Sequence, residues 1–250
     1  MAHYQISTNN KRHLVDVKID NKEGRPIQIV GFDPLKYNTE YFNRLCLEKG
    51  IQTYQFGCPL TPKKLNLVIF DVEKGYSDKP KTFTIKSIKT EPIEFRELDV
   101  DYLTSKFIEF AQDFAEKAGY LTAGTYSDKD NLFKINYVNR ILDERGNKSP
   151  TPARIHKTEK YIEVSREWLV NLSIPIRLQM LFHEYSHLFL NKNPSDESEA
   201  DINGVNLFLA LGYPFVESVY AYTKVFGDNP NTKGRLNNII NALEKRRHTR

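Results

Sequence analysis

The stretch from Ser173 to Asn191 limits what this chain can become more than any other. Ile176, Met180, Leu181, Leu188 and Leu190 make it apolar almost all round, Ser173 stands where an N-cap would, and Pro175 falls in the first turn, where its missing N–H costs nothing. The pattern predicts a buried central helix. Polar residues on such a helix are costly unless they are paired or bound to a metal. Yet His183, Glu184 and His187 stand within five positions of one another on it. Positions i and i+4 of an α-helix share one face about a turn apart, so the two imidazoles can point at a single ion. Glu184 lies one step round, where it can take a proton from a water whose pKa zinc lowers to roughly 7. The implied chemistry is metal-assisted hydrolysis, and it requires both a helix under the motif and a third ligand nearby.

The helix must stop near Asn191, because Asn193-Pro194-Ser195-Asp196 is a turn followed by a capping signal. Asp196 and Glu199 have capping-box spacing, so a second helix is expected to open at about Ser195 and to bring its first turn back towards the first. On spacing alone, either Glu197 or Glu199 reaches the ion.

His183-Glu184-x-x-His187 followed by Glu197-x-x-Ala200-Asp201 resembles the gluzincins, zinc peptidases with a glutamate as third ligand. It looks most like the CAAX-prenyl-endopeptidase and HtpX-type branch, whose second motif is E-x-x-A-D, and more loosely like the ImmA/IrrE type, which has E-x-x-A-N. The resemblance implies that Glu197 is the third ligand and that Asp201 orients a ligand histidine, a partner such ligands usually need. Asn229-Pro230-Asn231-Thr232-Lys233-Gly234-Arg235-Leu236 is similar to the H-P-x-T-x-x-R-hydrophobic segment of the same branch, where the histidine and the arginine lie near the reacting carbonyl. Asn229 replaces that histidine here, and Arg235 keeps its place as a candidate catalytic residue. The likeness covers about residues 100 to 245.

At 250 residues, with 40% hydrophobic and 27% charged side chains, the chain has the composition of a globular protein able to bury a real core. No apolar run reaches the roughly 18 residues needed to span a bilayer, and Met1-Ala2-His3-Tyr4-Gln5 has no apolar signal core. The expected location is therefore the cytoplasm, or a particle assembled there, with no membrane insertion. The net charge of +4 comes largely from Lys245-Arg246-Arg247-His248-Thr249-Arg250, which reads as a solvated tail rather than a nucleic-acid contact. Cys46 and Cys58 lack metal-type spacing and read as free thiols.

Along the chain, Val15, Val17 and Ile19 alternate with Asp16, Lys18 and Asp20 as in a half-buried strand, and residues 27–32 read as its hairpin partner. Thr39 to Lys49 reads as a short helix ending at Gly50, and residues 51–56, 65–72 and 82–88 as further strands. Tyr37, Tyr41, Tyr54, Phe56 and Phe70 are expected at core or half-buried positions. A charged run around residues 91–100 ends the β pattern. Asp101 then caps a helix whose apolar stripe is Leu103, Phe107, Ala111, Phe114 and Ala118. Residues 132–143 and 153–164 read as strands, with His156 exposed on the second. Trp168 is expected to be buried against the central helix, and helices are expected at 215–226 and from about 232 to 245. Zinc peptidases commonly hold an extended substrate on an edge strand above the zinc helix, which makes Ala153 and Ile155 candidate substrate-binding residues, with Tyr161 near an oxyanion.

The expected fold class is α+β, with a β-rich N-terminal unit at 1–98 and a compact, mainly helical, zincin-like metallopeptidase domain at 99–250. The expected activity is zinc-dependent endopeptidase chemistry on a protein or peptide substrate. Two alternatives share the same residues: a regulatory peptidase with one protein target, and a structural or assembly protein, for example of a virus-like particle, that retains the peptidase fold. Chain ends fray unless something ties them down, so the assembly alternative implies partners that order the termini.

Overall fold

The structure, a computed structural model, describes residues 1–75, 82–93, 100–226 and 230–247. It is α+β. Two compact units divide the chain, Met1–Arg96 with Gly212–Pro214, and Glu97–Leu211 with Phe215–Arg250. The expected boundary between 98 and 99 thus lies two residues further on than the one observed, and a tripeptide of the second half belongs to the first unit. The charged run expected to separate the units falls mostly at 94–99, outside the described residues.

The first unit is built from seven antiparallel strands: β1 (Ala2–Ser7), β2 (His13–Asn21), β3 (Ile27–Asp33), β4 (Lys36–Cys46), β5 (Gly50–Cys58), β6 (Lys64–Asp71) and β7 (Thr84–Pro92). They form one sheet in the order β1-β6-β3-β4 and another in the order β5-β2-β7. Val15, Val17 and Ile19 are buried, as their alternation predicts. The expected hairpin of β2 with β3 does not form, since the two strands enter different sheets. Asn21 explains the change of sheet. Its side-chain amide donates to Arg25 O at 2.8 Å and Glu48 O at 3.1 Å, and its oxygen accepts from Arg25 N at 3.1 Å, pinning a corner where a tight turn was expected.

The expected helix at 39–49 is also corrected, to strand β4. Tyr41, Phe42 and Leu45 imitate helical spacing because a register shift opposite Gly31 and Phe32 places two consecutive aromatics, Tyr41 and Phe42, both in the core. Phe42 stacks on Phe56 of the other sheet with centroids 4.2 Å apart, a long-range contact no local propensity encodes. Tyr37 is 74% exposed, contrary to expectation. Cys46 and Cys58 are buried and in no disulfide, and burial pushes the Cys46 thiol up to about 12.

The second unit contains α1 (Tyr102–Lys117), β8 (Gly124–Ser127), β9 (Lys134–Val138), β10 (Ala153–His156), β11 (Tyr161–Ser165), α2 (Arg166–Leu169), α3 (Ile174–Phe189), α4 (Glu197–Ala210), α5 (Phe215–Phe226) and α6 (Pro230–Arg247). Its sheet has the order β10-β11-β9-β8, with β11 and β9 parallel. The single strand expected at 153–164 is a hairpin, bent where Lys160 takes φ 54°, and the strand expected at 132–143 shrinks to β9. Asp101 caps α1 by accepting from Thr104 N at 2.9 Å. The apolar stripe packs as expected except for Leu103, which is 43% exposed. Behind α3, Phe107 stacks on Tyr185 at 4.1 Å, and Thr104 Oγ1 lies 3.0 Å from the Tyr185 hydroxyl. Trp168 is only half-buried. Among the described residues, no helix is long and apolar enough to cross a membrane.

Arg177, in the first turn of α3, is 1% exposed. Its Nε donates to Leu169 O at 2.9 Å and its Nη1 to Ala115 O at 2.7 Å, satisfying carbonyls at the C-terminal ends of α2 and α1. Arg177→Met is expected to lower the unfolding free energy by about 2–5 kcal/mol, measured by urea denaturation, because both carbonyls lose a charged donor. In the first unit, Asp71 accepts from Arg25 Nε at 2.6 Å, Thr82 Oγ1 at 2.7 Å and the backbone amide of Glu73 at 2.9 Å. Burial alone would raise its carboxyl, but the Thr82 and Arg25 bonds and the amides of Lys74 and Glu73 outweigh it and hold it below the ordinary range. The stabilisation is complete above the ordinary carboxylate pKa and is lost as pH falls through the depressed folded value. Asp71→Asn is expected to flatten that acid-range loss and to cost about 1.5–3 kcal/mol at neutral pH, read from denaturation curves across pH.

Candidate metal centre

Helix α3 carries His183, Glu184 and His187 at the spacing that puts both histidines on one face. Ser173 occupies the N-cap position of α3, although its side chain makes no capping bond, and Pro175 lies in the first turn. The turn at 191–196 is tied by Asn191 Nδ2, which donates to Asp196 O at 2.8 Å, so the chain reverses directly onto α3. Asp196 caps α4, as its spacing to Glu199 predicts, by accepting from Glu199 N at 3.0 Å, and the helix opens at Glu197 rather than at about Ser195.

His183 and His187 meet at their Nε2 atoms, 3.1 Å apart. Glu197, the first residue of α4, brings Oε2 to 3.4 Å from His183 Nε2 and Oε1 to 3.4 Å from His187 Nε2. All three donors lie within 4.8 Å of one another. Glu199 turns away and accepts from the backbone amides of Lys192 at 3.0 Å and Asn193 at 3.4 Å, so the two glutamates that spacing alone leaves equivalent have different tasks.

The other ring nitrogens face acceptors. His183 Nδ1 lies 2.9 Å from Asp201 Oδ1, and His187 Nδ1 lies 3.0 Å from Pro194 O. A proton held at each Nδ1 leaves the Nε2 lone pairs pointing at the shared space, the arrangement metal-binding histidines use. Ligand bonds of about 2.0–2.1 Å in a tetrahedral site span edges of roughly 3.3 Å, close to the observed triangle. Two imidazoles and a carboxylate suit zinc and related divalent ions. The residues fit a metal ion.

Electrostatics point the same way. Burial disfavours charge on His183, but Asp201 and Glu197 outweigh it and lift the imidazole to about 9. Bonds from His183 and His187 hold Glu197 far below the carboxylate range, against partial desolvation. Glu184 moves the other way: burial raises its carboxyl, with His183, His187 and the Ile155 amide opposing and Glu197 adding to it.

A cavity of about 450 Å³ opens on this cluster. Glu184 and Arg235 line it, as do Ala153 and Ile155 from β10. Strand β10 is an edge of its sheet. Ser165 N donates to Pro152 O at 2.9 Å, and by antiparallel alternation Arg154 and His156 then bond to β11 while the main-chain groups of Ala153 and Ile155 face the open edge. Tyr161 is not brought to the cavity. It lies opposite His156 on the inner strand β11 and stacks on that ring at 4.3 Å, which also leaves His156 half-buried rather than exposed. Arg235, from α6, aims Nε at Asp201 Oδ2 at 2.7 Å and Nη2 at Asp201 Oδ1 at 2.6 Å, with Glu197 Oε2 3.1 Å from Nη2. Asn229, the substituted position of the resembling segment, and residues 248–250 of the basic tail lie outside the described residues.

Two contributors escape sequence reasoning. Tyr222 accepts from Gln179 Nε2 at 3.1 Å and donates to Asp201 O at 3.1 Å, fixing α5 against the turn of α4 that carries Asp201. Gly204 lets α4 lie directly on α3: a Cβ there would stand 3.0 Å from His183 N and 3.2 Å from His183 Cα. An in-helix glycine one turn past E-x-x-A-D was the only available signal. Gly204→Val is expected to destabilise by about 1–3 kcal/mol in thermal melts and to weaken zinc binding in chelator competition, because it drives Glu197 and Asp201 away from His183.

In comparisons with family models, curated proteins and solved structures, none matches this chain.

Proposed function

We propose that the chain is a zinc-dependent endopeptidase whose second unit is a zincin-like catalytic domain of gluzincin type. The observation that carries the reading is the convergence of His183 Nε2, His187 Nε2 and a Glu197 carboxylate oxygen at the mouth of a cavity, with Asp201 behind His183. The motifs that resemble the gluzincins supply the same three ligands in the same order.

Zinc bound by His183, His187 and Glu197 supplies Lewis acidity, polarising a carbonyl and bringing the pKa of water down to about 7. The chain's own residues do the rest. Glu184, next to His183 on the cavity wall, accepts the proton of the attacking water and returns it to the leaving amine. Its burial raises the carboxyl, which favours its holding the proton between the two transfers. The open edge of β10 pairs with an extended peptide through the main-chain groups of Ala153 and the carbonyl of Ile155, whose amide is taken by Glu184, so that backbone recognition sets the register of the cut bond. Asp201 holds the His183 tautomer.

The alternative of a structural zinc site in an assembly protein fits the geometry less well. Structural sites close the ion with four protein ligands, whereas here, among the described residues, three donors border a cavity that the Glu184 carboxylate also lines. A regulatory peptidase with a single protein target uses the same centre and differs only in its partner.

Glu184→Gln tests the reading. The variant is expected to keep about one zinc per chain, measured by metal analysis, while cleavage of a casein-type or library substrate falls by about 10²–10⁴-fold. A chelator should abolish wild-type cleavage and added zinc restore it. Cleavage that survives intact in the variant would overturn the proposal.

A further inference from the structure

We infer that Arg235 is a positioning residue of the metal centre, which holds Glu197 and Asp201 in their ligand geometry and makes the C-terminal helix α6 part of the ion's binding site. The inference rests on the metal centre proposed above, but not on the identity of the substrate.

Asp201 is 1% exposed. One of its oxygens, Oδ1, is shared between His183 Nδ1 at 2.9 Å and Arg235 Nη2 at 2.6 Å, while Oδ2 takes Arg235 Nε at 2.7 Å. This two-pronged pairing fixes the plane of the carboxylate as well as its place. Through that plane, Arg235 sets the direction in which His183 is held. The same Nη2 lies 3.1 Å from Glu197 Oε2. Glu197 needs such a clamp, because its side chain is 54% exposed on the first turn of α4 and would otherwise keep its rotamer freedom until an ion arrives. Arg235 thus grips the third ligand directly and a histidine ligand through Asp201.

The helix that presents it is seated independently of the ion. Leu236 and Ile239 pack on Val205 and Tyr222, and Tyr222 in turn holds the Asp201 carbonyl. At the centre, the carboxylates of Glu197 and Asp201 both face the Arg235 guanidinium.

The test measures zinc affinity by competition with a chromophoric chelator, the visible spectrum of the cobalt-substituted protein, and turnover at saturating zinc, for wild type, R235K, D201N and the double variant R235M/D201N. Lysine keeps the charge and loses the fork. R235K and D201N are each expected to weaken zinc binding by about 10–100-fold and to shift the cobalt spectrum, with the double variant losing less than the two single losses multiplied, since part of what Arg235 does passes through Asp201. The double variant leaves no buried charge unpaired, so it carries the test if R235K loses its fold. Zinc affinity within about twofold of wild type in R235K or in the double variant, with turnover at saturating zinc reduced, would overturn the inference and give Arg235 to the substrate. Failure of the wild-type protein itself to bind zinc would remove the metal centre and this inference with it, and is told apart by appearing before any substitution.

Discussion

A carboxylate as deeply buried as Asp201 is costly without strong hydrogen-bond partners, and the second unit is arranged around supplying them. His183 comes from α3, Arg235 from α6, and the backbone of Asp201 is held by Tyr222 from α5. Four helices therefore meet at one side chain. Breaking a buried pair by removing one partner costs several times more than an exposed pair is worth, about 3–5 kcal/mol against less than about 1. That asymmetry makes the Asp201 cluster a constraint on how the helices pack rather than an ornament on a finished core.

Helix α3 can bear polar residues in its interior because most of them have partners. Ser186 bonds back to Phe182 O at 2.7 Å, Gln179 joins Tyr222 and Ser218, and Arg177 ties the ends of α1 and α2. His183 and His187 are left with one ring nitrogen each aimed at Glu197 and at the other. A cation there takes the place of the proton that Asp201 and Glu197 otherwise favour on His183. The site is in this sense preorganised for an ion before one binds. Gly204 allows the close approach that makes the geometry possible, since α3 and α4 share the ligands and a side chain between them would part them.

The first unit solves a different problem. Its core lies between two antiparallel sheets, with Phe42 and Phe56 stacked across them, and its polar corners at Asn21 and Asp71 are saturated with hydrogen bonds to distant residues. The proposed chemistry draws on none of these groups.

Local pattern alone determined that a buried helix runs through residues 174–189 with two histidines on one face and a glutamate beside them, and that a capped helix follows at once. Periodicity and capping are properties of neighbouring residues, so they can be read along the chain. The same reading failed at β4, where a bulge made strand residues imitate helical spacing, and at β2 and β3, where Asn21 redirected an expected hairpin. It could not choose between Glu197 and Glu199, or remove Tyr161 from the cavity, because each depends on which way a turn throws a side chain. Arg235 was legible as a residue near the site, but its partners were not. Which carboxylate a guanidinium takes, and which glycine lets two helices touch, follow from contacts between residues far apart in the chain, and only tertiary packing decides those.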